Sequence, residues 1–431
     1  MASAPYASPL AEELAPDVLR RFLRYVRIDT QADPSTGAQP SSARQLDLSR
    51  LLVEELREAG LTDATLAEHG HVLATLPGTV EGAPTVALLA HVDTSPDAPG
   101  SGVEPVVHEG WAGAPIVLPG DPGQVLDPAE LPALAERVGH TIVTSDGTTL
   151  LGADDKAGVA EIMAAVSYLA AHPELPRAPL RIAFTVDEEI GKGTELIGLD
   201  ELGAEAAYTL DGSGLGELEL ETFSAYQVVV TFRGVAVHPG VAKGRLVNAV
   251  KLAAAFVASL PRDSLSPETT AAREGFVHPT RIAGDVHSTS VWLLARDHDD
   301  GLLEGHVALL RRLAEETAAA DPRASVRVDV EEQYRNMRRV LERHPEVVAA
   351  AEEAIRRAGV EPVHAVIRGG TDGARLSERG LPTPNIFTGG QDYHSLREWA
   401  SLQDMAAAAA TVVELARVWA ERAASGTPRG R

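Results

Sequence analysis

The chain has 431 residues, 44% of them apolar and 23% charged, with a formal net charge of −24 and no cysteine. Those proportions exclude a disordered or membrane-embedded polypeptide, and an acidic chain without a basic stripe opposes both nucleic acid and an anionic lipid surface. Without cysteine there are neither disulfides nor thiolate ligands, so a transition-metal site must be built from histidine and carboxylates.

At this length two domains are expected, because single cores stop growing beyond about 250–300 residues. The opening MASAPYASPLAEELAP lacks the basic head and apolar core of a signal peptide, and no stretch of about 18 apolar residues follows it. A cytoplasmic protein with no membrane partner is expected, its first dozen residues forming a loose leader. Helical spacing of apolar residues marks Leu19–Val26 and Ala43–Ala59, the latter stopped by Gly60. The first strand is then expected at Thr85–Ala90, a short apolar run suited to burial on both faces of a sheet. His91 lies at its end. Val159, Ile162, Met163, Val166 and Leu169 form a helical stripe, and strands follow at Leu180–Val186 and Ala206–Leu210. This alternation indicates an α/β layer architecture: a central mixed sheet flanked by helices.

Between residues 221 and 332 the pattern changes. A strand at Tyr226–Phe232, a helix at Leu246–Ser259, strands near Thr280 and at Ser288–Ala295, a helix at Leu302–Ala319 and a strand at Val326–Val330 give the β-α-β-β-α-β order of a ferredoxin-like α+β module. Helix and strand alternation resumes from Pro345. Residues 1–220 and 333–431 therefore read as one domain interrupted by an insert at 221–332, and the final GTPRGR as a frayed tail.

The chemistry gathers at strand ends. His91 and Asp93 in HVD would project from one face if the strand continued, which suits a metal-binding imidazole steadied by a carboxylate. A strand-end histidine beside a capping aspartate would look the same. Asp154 and Asp155, adjacent in LLGADDKAG at the entrance to a helix, repel unless a cation or the helix N-terminus compensates; simple capping is the bland reading. FTVDEEIG sets three acids directly after a buried strand, where one glutamate could hold a metal and its neighbour act as general base. Asp211 in YTLDGSG and His394 in GGQDYHS complete five potential ligands, a set that suits two zinc ions about 3.5–4 Å apart. Cobalt or manganese would be accepted by the same ligand types. Arg368 in IRGGTDG could hold a carboxylate through two hydrogen bonds, although a surface arginine in a turn would read alike. His238 in VAVHPG, before proline, is by itself ordinary loop punctuation.

Together HVDTSPD, DGTTLLGADDKAGVAEIM, DEEIGKG, VHPG, IRGGTDGA and PNIFTGG resemble, in order and spacing, the dizinc aminoacylase and glutamate-carboxypeptidase-like superfamily of metallopeptidases. The likeness runs from about Phe22 to about Ala416. The resemblance implies an aminopeptidase that removes the N-terminal residue of tripeptides. It implies that His91 and Asp211 bind one zinc, that Glu189 and His394 bind the other, and that Asp154 bridges them. Asp93 would orient His91, and Glu188 would be the general base that activates the attacking water and later protonates the leaving amine. The insert would be a lid that also forms a homodimer, with His238 reaching the partner subunit's active site to stabilise the oxyanion. Arg368 would hold the peptide's C-terminal carboxylate, and Asn385 lies in a matching substrate-binding segment. Ser395 departs from the glycine usual after the last ligand histidine. Related dipeptidase, carboxypeptidase or N-acyl amino acid hydrolase activities share these ligands. A non-catalytic peptide-binding protein would have no need of Glu188.

Overall fold

The structure, a computed structural model, describes residues 5–425. Its backbone divides into two compact units, one made of Met1–Leu220, Met337–Ala365 and Thr371–Arg431, the other of Glu221–Asn336 with Val366–Gly370. The short return segment Val366–Gly370 has no apolar periodicity, and the sequence pattern groups it with the larger domain.

An eight-stranded mixed sheet, all of it in the larger unit but for the last two residues of its two final strands, runs in the order Thr65–Leu66, Val72–Leu76, Leu180–Thr185, Val86–His91, Ala206–Gly212, Asn385–Phe387, Glu217–Thr222 and Val363–Ile367. The four strands at its centre, from Leu180–Thr185 to Asn385–Phe387, are mutually parallel. Val86–His91 shows why its sequence is continuously apolar: Val86, Leu88 and Ala90 pack into one core cluster and Ala87 and Leu89 into another on the opposite face. The first cluster lies under the helices Pro9–Tyr25, Ala153–Ala171, Pro345–Arg357 and Leu402–Ala424, which pack on one another. Leu402–Ala424 is buried along almost its whole length, and its run Ala406–Ala410 lets neighbours approach closely.

Two expectations are corrected. The leader is shorter than a dozen residues, because Ser8 caps the helix Pro9–Tyr25: its hydroxyl accepts the Ala11 N–H at 3.2 Å, with Pro9 in the first turn. Strands also precede Val86–His91, at Thr65–Leu66 and Val72–Leu76; the first is too short to show a period, and the second, VLATL, is apolar without alternation. The tail GTPRGR lies outside the described residues. A further four-stranded sheet, ordered Gly390–Gln391, Trp399–Ser401, Ile142–Thr144 and Val106–His108, had no sequence signal.

The smaller unit is the expected ferredoxin-like module. Its strands Phe276–Gly284, Ser288–Asp297, Ser224–Arg233 and Ser325–Tyr334 form an antiparallel sheet in that order. Ser288–Asp297 alternates between buried and half-buried positions, and its inward residues Val291, Leu293 and Ala295 share one core with Phe256 and Leu310 of the helices Ala249–Ser259 and Asp300–Ala318. Among the described residues no helix is long and apolar enough to cross a membrane.

Candidate metal centre

The parallel strands deliver the predicted residues to one end of the sheet, the carboxyl end at which open α/β sheets present their functional groups. His91 ends its strand, Glu188 and Glu189 follow Leu180–Thr185, Asp211 lies at the end of Ala206–Gly212, and His394 follows Asn385–Phe387. Asp154 enters at the start of the helix Ala153–Ala171, where its backbone and that of Asp155 depart from helical angles. Gly158, near that start, allows the helix to lie against the sheet, since a Cβ there would stand 1.9 Å from the Leu210 carbonyl oxygen.

Asp154 is shared. Its Oδ1 lies 2.9 Å from His91 Nε2 and its Oδ2 3.2 Å from His394 Nε2. His91 Nε2 is also 3.6 Å from Asp211 Oδ1, and His394 Nε2 is 3.0 Å from Glu189 Oε2. Two groups result, His91–Asp154–Asp211 and Asp154–Glu189–His394, each with its ligand atoms within 4.8 Å of one another. The far nitrogen of each imidazole is occupied. His91 Nδ1 faces the Asp93 carbonyl at 3.1 Å and its Oδ1 at 3.5 Å, while His394 Nδ1 faces Ser95 Oγ at 3.1 Å and Asp97 Oδ2 at 3.2 Å. That arrangement turns both Nε2 atoms toward the shared carboxylate.

The three acids of DEEIG separate in role. Asp187, fully buried with φ 64°, accepts from the Ser41 N–H and hydroxyl and from the Gln45 amide, tying the turn to the start of the helix Gln45–Glu58. Asp93, also fully buried, takes the backbone N–H of Glu188 on Oδ1 and that of Glu189 on Oδ2, each at 3.1 Å. Asp93 therefore holds the glutamate turn as well as facing His91.

The charges are crowded. Burial raises the pKa of Asp154, but hydrogen bonds from His394 and His91 outweigh it and hold the carboxyl well below its ordinary range. Burial pushes Asp211 up to about 6 and, with the Asp154 charge, Glu189 up to about 8. Hydrogen bonds to Asp154 and Glu189 push His394 up to about 11. Glu188 is driven well above the carboxylate range by burial, opposed by the His91 charge and reinforced by Asp211, Asp372 and Glu189. So many buried carboxylates call for positive charge. The donor set fits divalent cations: tetrahedral bonds of about 2.0–2.2 Å put neighbouring ligand atoms about 3.3 Å apart, close to the 2.9–3.6 Å found here. Glu189 Oε1 adds a buried acceptor with no hydrogen-bond partner among the described residues.

The remaining predicted residues make other contacts. Asn385 is fully buried beneath Asp211, its carbonyl oxygen accepting the Asp211 N–H at 3.0 Å while its amide donates to Glu219. Arg368 belongs to the smaller unit, where it donates to the Ala272 and Glu274 carbonyls and to Thr270 Oγ1 and stacks over Phe223 and Phe276. His238, in the same unit, caps the turn Pro239–Val241, its Nδ1 accepting the Gly240 N–H at 3.1 Å. Ser395 closes its own loop, donating to the Asp392 carbonyl at 2.7 Å. Sequence reasoning passed over Asp97, Asp372 and Glu398. Asp372 sat unremarked in IRGGTDG; it is buried, accepts the Thr185 hydroxyl at 2.7 Å, and adds its charge to those facing Glu188.

Residues 141–418 match the model of peptidase family M20/M25/M40. The chain belongs to that family. Over 407 residues it is 46% identical to a peptidase T from an Exiguobacterium species, covering 94% of this chain and 98% of the relative. Among solved structures of similar fold are an aminopeptidase PepT from Bacillus cereus (TM-score 0.72, 23% identity, 94% and 99% of the two chains covered) and a dinuclear metal-binding peptidase of the M20 family from Bacillus subtilis (TM-score 0.63, 16% identity, 95% and 99% covered). This M20 chain is a metallopeptidase, and its substrates are peptides.

Proposed function

We propose that this M20 peptidase is an aminopeptidase that releases the N-terminal residue of tripeptides, with two zinc ions per subunit. The reading rests above all on Asp154, whose two oxygens are divided between two histidine-centred ligand groups. The peptidase T relative supports the substrate class. His91, Asp211 and Asp154 would hold one cation and Glu189, His394 and Asp154 the other. Bound there, the pair would polarise the scissile carbonyl and lower the pKa of the attacking water.

The chain's own groups do the rest. Glu188, with its affinity for protons raised, takes the proton of the attacking water and passes it to the leaving amine. Asp93 fixes the height of Glu188 through its backbone while steadying His91. The smaller unit acts as a lid and dimerisation module. His238 stabilises the developing oxyanion in the partner subunit of a homodimer, and Arg368 receives the peptide's C-terminal carboxylate. Asn385 serves the substrate end of the site through the Asp211 backbone it holds. The enzyme works in the cytoplasm.

A panel of tripeptides, dipeptides and N-acetylated tripeptides, analysed chromatographically after incubation with the zinc-loaded enzyme, tests this. Tripeptides should yield one free N-terminal amino acid and a dipeptide, with dipeptides left intact. Cleavage of dipeptides or acylated substrates in preference to tripeptides would replace the proposal with a sister activity of the same scaffold.

A further inference from the structure

One buried carboxylate reaches the candidate metal centre from behind. Glu398 is 1% exposed, and its two oxygens accept three backbone N–H groups: Oε2 those of Leu151 at 2.7 Å and Gly152 at 2.8 Å, Oε1 that of Asp154 at 3.0 Å. Nothing local does this work. The helix Ala153–Ala171 starts after Gly152, which lies at φ 82° and offers no side-chain cap, and its Asp154 and Asp155 are not helical. The N–H groups that open a helix need acceptors, and a carboxylate at that end is further favoured by the helix dipole.

Glu398 comes from the loop that carries His394. That loop is closed at its base, where Gly390–Gln391 pairs with Trp399–Ser401 and the Trp399 indole N–H donates to Asp392 Oδ2 at 3.0 Å. The same strand pairs with Ile142–Thr144, just upstream of Leu151 and Asp154. The Glu398 carboxylate thus joins the backbone of the shared acid to the loop of the second histidine. We propose that Glu398 is a positioning residue that holds Asp154 and His394 in register, so that both oxygens of Asp154 meet their cations. This rests on the reading of Asp154 and His394 as ligands.

The test is a titration of metal-free full-length protein with Co2+, following the visible absorption of the bound ion, at a temperature where each protein is folded by circular dichroism. Glu398→Gln keeps the size but sets an NH2 group against backbone donors; it should weaken Co2+ binding about ten- to a hundred-fold, the range for partners of metal ligands. Glu398→Asp keeps the charge at shorter reach and should fall between Glu398→Gln and the unaltered protein. Affinity in Glu398→Gln equal to that of the unaltered protein would overturn the proposal. So would failure of both variants to fold, which would make Glu398 a determinant of the fold and not of the site. Asp154→Asn and His394→Ala serve as controls. If they leave Co2+ binding unchanged, the ligand reading fails and takes this inference with it; if they abolish it while Glu398→Gln does not, the inference alone fails.

Discussion

Asp93 Oδ1 accepts the backbone N–H of Glu188 at 3.1 Å, so the residue beside the first histidine also sets the position of the proposed base. Its other oxygen does the same for Glu189. Asp93→Asn preserves the shape but turns an amide NH2 toward one of these backbone donors. The expected result is a loss of about ten- to a hundred-fold in kcat or in metal affinity. Steady-state kinetics with a metal titration will read it, and full activity at normal zinc content would show that the turn holds itself.

Glu188→Gln separates chemistry from metal binding. Its backbone hydrogen bond to Asp93 survives the change, and neither metal-ligand group includes its side chain. Zinc content should stay near that of the unaltered enzyme while kcat falls about a hundred- to ten-thousand-fold, the range for a lost general acid–base group. Unchanged turnover would remove Glu188 from the mechanism.

Much of this site was legible because two simple signals coincided. Continuous apolar runs marked strands buried on both faces, and His91, Glu188, Glu189 and Asp211 stood directly after them. What could not be read is contact across long separations. Nothing in HVD says that Asp93 holds a turn at Glu188, and nothing near Glu398 says that it reaches Leu151, because backbone N–H groups leave no mark in a sequence. The strands Ile142–Thr144 and Trp399–Ser401 are three residues each, too short for any period. In DEE the sequence suggests separate tasks for the two glutamates but says nothing of Asp187, whose left-handed backbone turns that side chain toward Ser41 and away from its neighbours' task.

Protonation should be linked to metal in a definite direction. In the metal-free protein the pKa values of His394 and Glu189 are raised, to about 11 and about 8, from ordinary values of 6.5 and 4.5. Raised groups contribute stability that is complete below the ordinary value and lost as pH climbs through the raised one. The metal-free protein should therefore lose this contribution first around Glu189 and then, toward alkaline pH, around His394. Cations replace those protons, so zinc should bind more tightly and stabilise more as pH rises from about 6 to about 8. Melting temperatures with chelator and with zinc across that range will show a widening gap; a constant gap would contradict the shared-proton picture.

Gly158→Ala tests how the helix that carries Asp154 is seated. Alanine is the better helix former by about 1 kcal/mol, so an open position would be stabilised. Here the added Cβ would meet the Leu210 carbonyl oxygen at 1.9 Å and Asp155 Oδ1 at 2.5 Å. The first is backbone in a central strand and cannot swing aside, so the helix must shift. Overpacking of this kind costs about 1–3 kcal/mol, which outweighs the propensity gain, and a lower denaturant midpoint of the metal-free protein is expected. Because Leu210 precedes Asp211 and the helix carries Asp154, the same shift should weaken zinc binding. An unaltered midpoint with unaltered affinity would mean that helix and strand have room that this contact denies.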